Sequence, residues 1–281
     1  MGKIVDISKW QPEVNYKTFA TEIDLAILRV QDGSTTKDKV YQTDAAGCEQ
    51  YKVPYGVYAF TRFISVGDTK VEARDFYSRA TANGRKPLFF VADVEDKTMS
   101  DMKAGTNAFI AELRRLGAKK VGVYVAHHLY SEFNLDYSKA DFVWIPRYAN
   151  YGVSVIKPNY PCDLQQYTDK GKIAGIAGNV DLNRLNGTKT LDWFLGKEDV
   201  KAVSKPVNQG YYPKKYDRLV SLTDFGIYED KEFKKELKRH NKGTKLDIID
   251  IARTKNGTPR FIVCGGYCTA NRKYVKAYTV K

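Results

Sequence analysis

Leu88-Phe89-Phe90-Val91-Ala92-Asp93-Val94-Glu95 is five apolar residues followed by two acids with one residue between them. A short apolar run rich in Phe and Val reads as a buried strand. Side chains alternate along a strand, so Asp93 and Glu95 point to the same face. Similar runs occur at Ile4–Ile7, Leu25–Val30, Tyr55–Phe60, Val121–Val125, Phe142–Ile145, Asp163–Tyr167 and Val180–Leu182. Between several of them the apolar spacing is helical, over Asp44–Tyr51, Lys70–Asn83 and Ser100–Leu116, the last stopped by Gly117. Strands alternating with helices predict parallel strands joined by crossovers. About eight strands before residue 195 predict an α/β, TIM-barrel-like (β/α) barrel with fewer helices than strands. In such barrels the C-terminal strand ends carry the active site, and Asp93 and Glu95 fall at one.

The chain changes character further on. Residues 196–208 are polar and without period, and read as a linker. From 209 to 281 the strand-like runs Arg218–Leu222, Lys245–Ala252, Arg260–Cys264 and Tyr274–Thr279 are separated by turn signals, notably Asn256-Gly257. Only Glu232–His240 has helical character, and a loop insert is the alternative reading there. A small, strongly bent all-β barrel is the expectation for this module.

The 281 residues carry a net charge of +13. After residue 205 there are 17 Lys and Arg against 8 Asp and Glu, and before it 29 against 25. The basic excess therefore sits on the small module, as expected of a domain that docks on an anionic surface. No nucleic-acid motif accompanies the charge, so it does not by itself select nucleic acid. No apolar stretch is long enough to span a membrane, and the opening residues lack a signal-peptide run. Cys48, Cys162, Cys264 and Cys268 are few and scattered, which argues against a disulfide framework. Cys264 and Cys268 lack a second Cys/His pair, so no metal site is expected there. His127 and His128 follow a strand and are adjacent, so regular structure cannot easily aim both at one ligand; a structural use is expected.

Two acids on one face repel each other, and partial burial adds to the effect. One of them should keep its proton near neutral pH and so be able to protonate a glycosidic oxygen. A lone Asp-x-Glu also fits a solvated strand end. Position adds weight: Asp6 ends the first strand and Asp181 lies in the last, and these are neighbours in a closed barrel. Four acids without a His or Cys cluster do not read as zinc. Glycoside hydrolysis accounts for carboxylates beside aromatic walls more economically than calcium or magnesium does. No cofactor is expected.

These residues form an ordered set. Asp6-Ile7-Ser8-Lys9-Trp10-Gln11, Gly56-Val57-Tyr58-Ala59-Phe60, Asp93-Val94-Glu95, Trp144-Ile145-Pro146-Arg147-Tyr148 and Gln165-Gln166-Tyr167 with Gly178 and Val180-Asp181-Leu182-Asn183 resemble the motifs of glycoside hydrolase family 25. These are muramidases common among bacteriophage endolysins. The resemblance covers residues 1–195. It implies Glu95 as proton donor and Asp93 as its tuner or as the group orienting a substrate N-acetyl. It implies Asp6 and Asp181 as stabilisers of positive charge at the sugar ring. Tyr58, Phe60, Tyr124, Trp144, Tyr148 and Gln166 would line the groove. Ala59 stands where the family often has His, and Pro146 where it has a small residue.

Gly243-Thr244-Lys245-Leu246, Gly257-Thr258-Pro259-Arg260-Phe261 and Gly266-Tyr267-Cys268-Thr269-Ala270 followed by Tyr274-Val275 resemble bacterial Src homology 3-like cell-wall-binding domains. This implies wall docking, with Tyr211, Tyr212, Tyr267 and Tyr274 as candidate contacts. The expected partner is bacterial peptidoglycan, with anionic wall polymers met by the basic module, and neither nucleic acid nor membrane. An endolysin would wait in the host cytoplasm until a membrane pore releases it. A chitinase-like glycosidase and a non-catalytic glycan binder remain the alternatives.

Overall fold

The computed structural model describes residues 2–149, 156–197, 210–255 and 257–279. The chain divides into two compact units, residues 1–198 and 199–281. Most of the expected linker, from 198 on, lies outside the described residues, as does Asn256 of the expected turn.

The first unit contains β1 (Lys3–Ile7), α1 (Tyr16–Phe19), β2 (Ile23–Asp32), β3 (Thr36–Lys37), α2 (Tyr41–Gln50), β4 (Tyr55–Phe60), α3 (Val66–Ala80), β5 (Phe90–Val94), α4 (Met102–Leu116), β6 (Val121–Val125), α5 (Tyr130–Phe133), β7 (Phe142–Pro146), β8 (Leu164–Gly171), β9 (Val180–Leu185) and α6 (Leu191–Phe194). Eight strands close into a barrel in the order β1-β9-β8-β7-β6-β5-β4-β2, with β2 returning to β1; β3 is a short addition to β2. The barrel, with its shortage of helices, is as the sequence predicts.

One strand departs from the expected parallel arrangement. β9 runs antiparallel to both β8 and β1. Only residues 172–179 join β8 to β9. A parallel return needs a crossover of about a dozen residues or more, so this connection makes a hairpin instead.

Strand alternation sorts side chains into two cores. Phe89, Val91, Phe142, Trp144 and Phe194 fill the barrel interior. Phe90, Ala92 and Val94 face the other way and pack with Phe76 of α3 and Phe109 of α4. The interior rings need room from their neighbours. A β-carbon at Gly56 would lie 2.2 Å from the Phe89 ring, and one at Gly122 would lie 2.3 Å from that of Phe142. The helices begin slightly earlier or later than their apolar spacing suggests because caps set their starts. The Ser65 hydroxyl accepts from the Asp68 amide, and the Asp101 carboxylate from that of Ala104. Gly117 ends α4 in the left-handed region, at φ 113°.

The second unit is one antiparallel sheet of seven strands: β10 (Arg218–Ser221), β11 (Phe225–Tyr228), β12 (Glu236–His240), β13 (Lys245–Arg253), β14 (Pro259–Val263), β15 (Gly266–Thr269) and β16 (Val275–Tyr278), in the order β12-β11-β15-β14-β13-β10-β16. The expected helix over Glu232–His240 is wrong. Residues 236–240 pair with β11, Phe225 opposite His240 and Ile227 opposite Lys238. Long charged side chains suit either a helix or an edge strand, and the adjacent β11 decides between them. Leu219, Phe225, Ile227, Phe261, Val263 and Val275 form the core.

Candidate active site

The site lies at the C-terminal end of the parallel strands. Register carries it from strand to strand: Asp6 stands opposite Asp181, Asn183 opposite Gln166, Trp144 opposite Tyr124, and Tyr124 opposite Asp93, which pairs in turn with Phe60. A cleft of about 270 Å³ opens there. The four predicted acids line it, and so do Tyr58, Phe60, Tyr124, Trp144, Tyr148 and Gln166. Asp181 reaches this end because β9 is reversed: as the second residue of an antiparallel strand it sits beside the end of β1.

The acids form two hydrogen-bonded pairs. Burial raises Asp6 to about 6, opposed by hydrogen bonds from Asn183 and Gln166. Burial, and then the charge of Asp6, push Asp181 to about 8, and its carboxyl hydrogen-bonds to Asp6. Both carboxyls are thus raised by burial, and Asp6, with its two amide donors, is raised less than Asp181. Glu95 is raised chiefly by burial. Asp93 is raised well above the ordinary range, by burial first and then by the charge of Glu95. The sequence predicts that repulsion and partial burial raise one of these two acids, without saying which. Burial is the larger cause at both, and Asp93 is the deeper group at 4% exposure. Oδ1 of Asp93 is buried and has no hydrogen-bond partner among the described residues.

Two amides tie the walls to Asp6. Nε2 of Gln166 donates to both Asp6 oxygens, at 3.0 and 3.1 Å, and Nδ2 of Asn183 donates to Oδ2 at 2.7 Å. The Gln166 oxygen accepts from the Tyr124 and Tyr148 hydroxyls at 3.1 and 2.5 Å, and the Asn183 oxygen from the Trp144 indole at 2.8 Å. Trp144 is 1% exposed and Tyr124 6%. Both border the cleft, but neither has a ring face free for a sugar. Tyr148, at 40% exposure, does. Phe60 is backed by the Arg62 guanidinium 4.3 Å from its ring, itself held by Asp32 and Asp96.

Sequence reasoning assigned no role to Ser8, Trp10 and Arg29, which also line the cleft. Trp10 is 73% exposed. Its place in the Asp6–Gln11 motif was the available signal. Arg29 is buried, donates to Asp38 at 2.7 Å, and opposes the rise of Asp93. Its partner is nine residues away on a loop, a pairing no periodicity reveals. Ala59 is fully buried among residues facing the helices, so its departure from the family motif removes no contact from the cleft. His127 is built into a loop: its ring sits 3.2 Å from Arg147 and accepts from the Asn159 amide at 3.2 Å. Among the described residues no group of three or more His, Cys, Asp or Glu side chains could hold a metal ion.

In the second unit Tyr212 is a correction. It is buried in the core beneath the Arg272 guanidinium, 4.2 Å from its ring, so it has no face to offer a ligand. Tyr211 and Tyr267 are half-buried and Tyr274 is 39% exposed.

Paired carboxyls facing each other across an aromatic-walled cleft, at the mouth of an α/β barrel, define a glycoside hydrolase. The chain belongs to glycosyl hydrolases family 25, whose family model matches residues 5–176. Among solved structures it resembles GHIP, a glycosyl hydrolase 25 virulence factor of Streptococcus pneumoniae, at 35% identity and TM-score 0.63, covering 71% of this chain and 93% of that one. It also resembles the catalytic domain of endolysin ply40 from bacteriophage P40 of Listeria monocytogenes, at 30% identity and TM-score 0.63, covering 70% and 96%. The autolytic lysozyme of Clostridium acetobutylicum is 27% identical over 221 residues, 73% of this chain and 64% of the lysozyme's length. Residues 211–275 match a domain of unknown function, DUF5776.

Proposed function

We propose that the chain is a peptidoglycan N-acetylmuramidase that cleaves the β-1,4 bond between N-acetylmuramic acid and N-acetylglucosamine. The observation that carries this is the Asp93–Glu95 pair facing Asp6–Asp181 in the cleft of a family 25 member. The lysozyme and endolysin names of its relatives support it. Glu95 donates the proton to the glycosidic oxygen. It is less buried than Asp93 and its carboxyl is raised. The partnerless Oδ1 of Asp93 accepts the substrate's N-acetyl N–H. That hydrogen bond favours the Asp93 anion and moves the shared proton toward Glu95, arming the acid when substrate is present. The charged member of the Asp6–Asp181 pair stabilises positive charge growing on the sugar ring. Digestion of purified wall tests the reading: new reducing ends should be muramic acid, and glucosamine ends would refute it.

The second unit docks the enzyme on the wall, in the manner of Src homology 3-like modules, with anionic wall polymers as its ligand. Its +9 charge after residue 205 supports this. Tyr211, Tyr267 and Tyr274 are its contact tyrosines. Docking raises the local enzyme concentration without altering the chemistry. Binding to walls stripped of their anionic polymers should fall about tenfold or more and lose most of its salt dependence; equal binding to stripped and intact walls would remove the anionic ligand. Action is at the cell wall, after pore-mediated release from the host cytoplasm.

A further inference from the structure

Gln166 and Asn183 have no charge, and neither is free to serve as a sugar ligand. Each donates its amide N–H to Asp6, while the Gln166 oxygen accepts from the Tyr124 and Tyr148 hydroxyls and the Asn183 oxygen from the Trp144 indole. Both are buried, at 4% and 5% exposure. Asp6 thus receives three N–H contacts, whereas no amide or hydroxyl donor to Asp181 is found among the described residues. Two carboxyls of the same type, side by side on paired strands, are made chemically unequal by this difference in donors.

We propose that Gln166 and Asn183 are positioning residues that fix Asp6 as the permanent anion of the Asp6–Asp181 pair, leaving Asp181 as the proton-bearing partner. The inference rests on the muramidase reading and divides the roles within it. Donors to a carboxylate favour its charged form, and the bond from protonated Asp181 adds to theirs. The amides also set direction. Gln166 is oriented by two hydroxyls and Asn183 by an indole N–H, so the Asp6 plane is locked to β6, β7, β8 and β9 at once. The exposed Tyr148 is one of those anchors, 2.5 Å from the Gln166 oxygen. A sugar resting on Tyr148 therefore bears on Asp6 through a single side chain. The other titratable and charged groups of the cleft facing Asp6 are Asp93 and Glu95 on β5, Tyr58 on β4, Arg29 on β2 and Tyr124 on β6.

Gln166→Glu and Asn183→Asp keep side-chain shape but remove the N–H donors. Wall-lysis kinetics across pH, with the full chain, test the proposal. Each variant should lower kcat about tenfold or more, the loss of a charge-assisted hydrogen bond, with KM nearly unchanged. Asp6 must be ionised to act, and without its donors its affinity for a proton rises. The acidic limb of the pH profile should therefore move to higher pH. Tyr148→Phe, a rim change that leaves the fold intact, should move the limb the same way by less. It decides the matter even if a buried variant does not fold. A limb that stays at the wild-type pH in every folded variant overturns the proposal, as does a change confined to KM. Glu95→Gln and product analysis are run alongside. Muramic acid ends with an unmoved limb refute the positioning role alone, whereas glucosamine ends refute the muramidase reading itself.

Discussion

Glu95→Gln should lower wall lysis by at least about a hundredfold while wall binding stays at the wild-type level. General acid catalysis contributes roughly a hundred- to ten-thousandfold when a positioned group supplies the proton. The amide has the shape of a protonated carboxyl but no proton to give. The exposed cleft residues Tyr148 and Trp10, and the wall docking proposed for the second unit, do not depend on Glu95, so binding should persist. The raised Glu95 carboxyl also sets the sign of the pH dependence. The acid is competent below its pKa, and activity falls as pH rises through it, at a higher pH than for an ordinary glutamate. Turbidity clearing on purified walls and a sedimentation assay of the same variant measure the two quantities. Lysis at the wild-type rate would remove Glu95 from the reaction, and a parallel loss of binding would make it a substrate anchor instead.

Phe89→Ala should cost the first unit about 3–5 kcal/mol of stability, the usual range for removing a buried aromatic side chain from a packed core. Phe89 is fully buried in the barrel interior. Its ring meets Phe142 edge-on at 5.2 Å and Phe194 at 5.5 Å. The barrel is closed on all sides, and Gly56 and Gly122 already lie within contact of the rings, so the space cannot collapse cheaply. Urea unfolding followed by tryptophan fluorescence isolates this unit, since Trp10, Trp144 and Trp193 all belong to it. A loss below about 1 kcal/mol would mean that the ring is not held in a packed core.

Much of this molecule was readable from local pattern. Apolar runs located the eight barrel strands, and Asp93-Val94-Glu95 at the end of one of them pointed to the mouth. The errors came where non-local pairing overrode local preference. Glu232–His240 has the composition of a helix, and Glu236–His240 became a strand because β11 lay beside it. Tyr212 looked like one of several surface tyrosines, and packing into the second unit's core buried it. Trp144 and Tyr124 line the cleft as expected of them, but both are buried and hydrogen-bond to Asn183 and Gln166, so neither offers a free ring face.

Asp93-Val94-Glu95 shows the division most clearly. Sequence alone determined that the two acids share a face at the end of a buried strand, because alternation along a strand is a local rule. It also determined that Asp6 belongs to the first strand and Asp181 to the last. That the two would be neighbours was expected from barrel closure; tertiary structure alone decided how, because the short connection 172–179 turns β9 back and brings its first residues to the mouth. It alone decided how unequally the two carboxyls of each pair are buried and supplied with donors. The amides that donate to Asp6 lie 160 and 177 residues away from it, and chain closure brings these groups together where no local spacing records them.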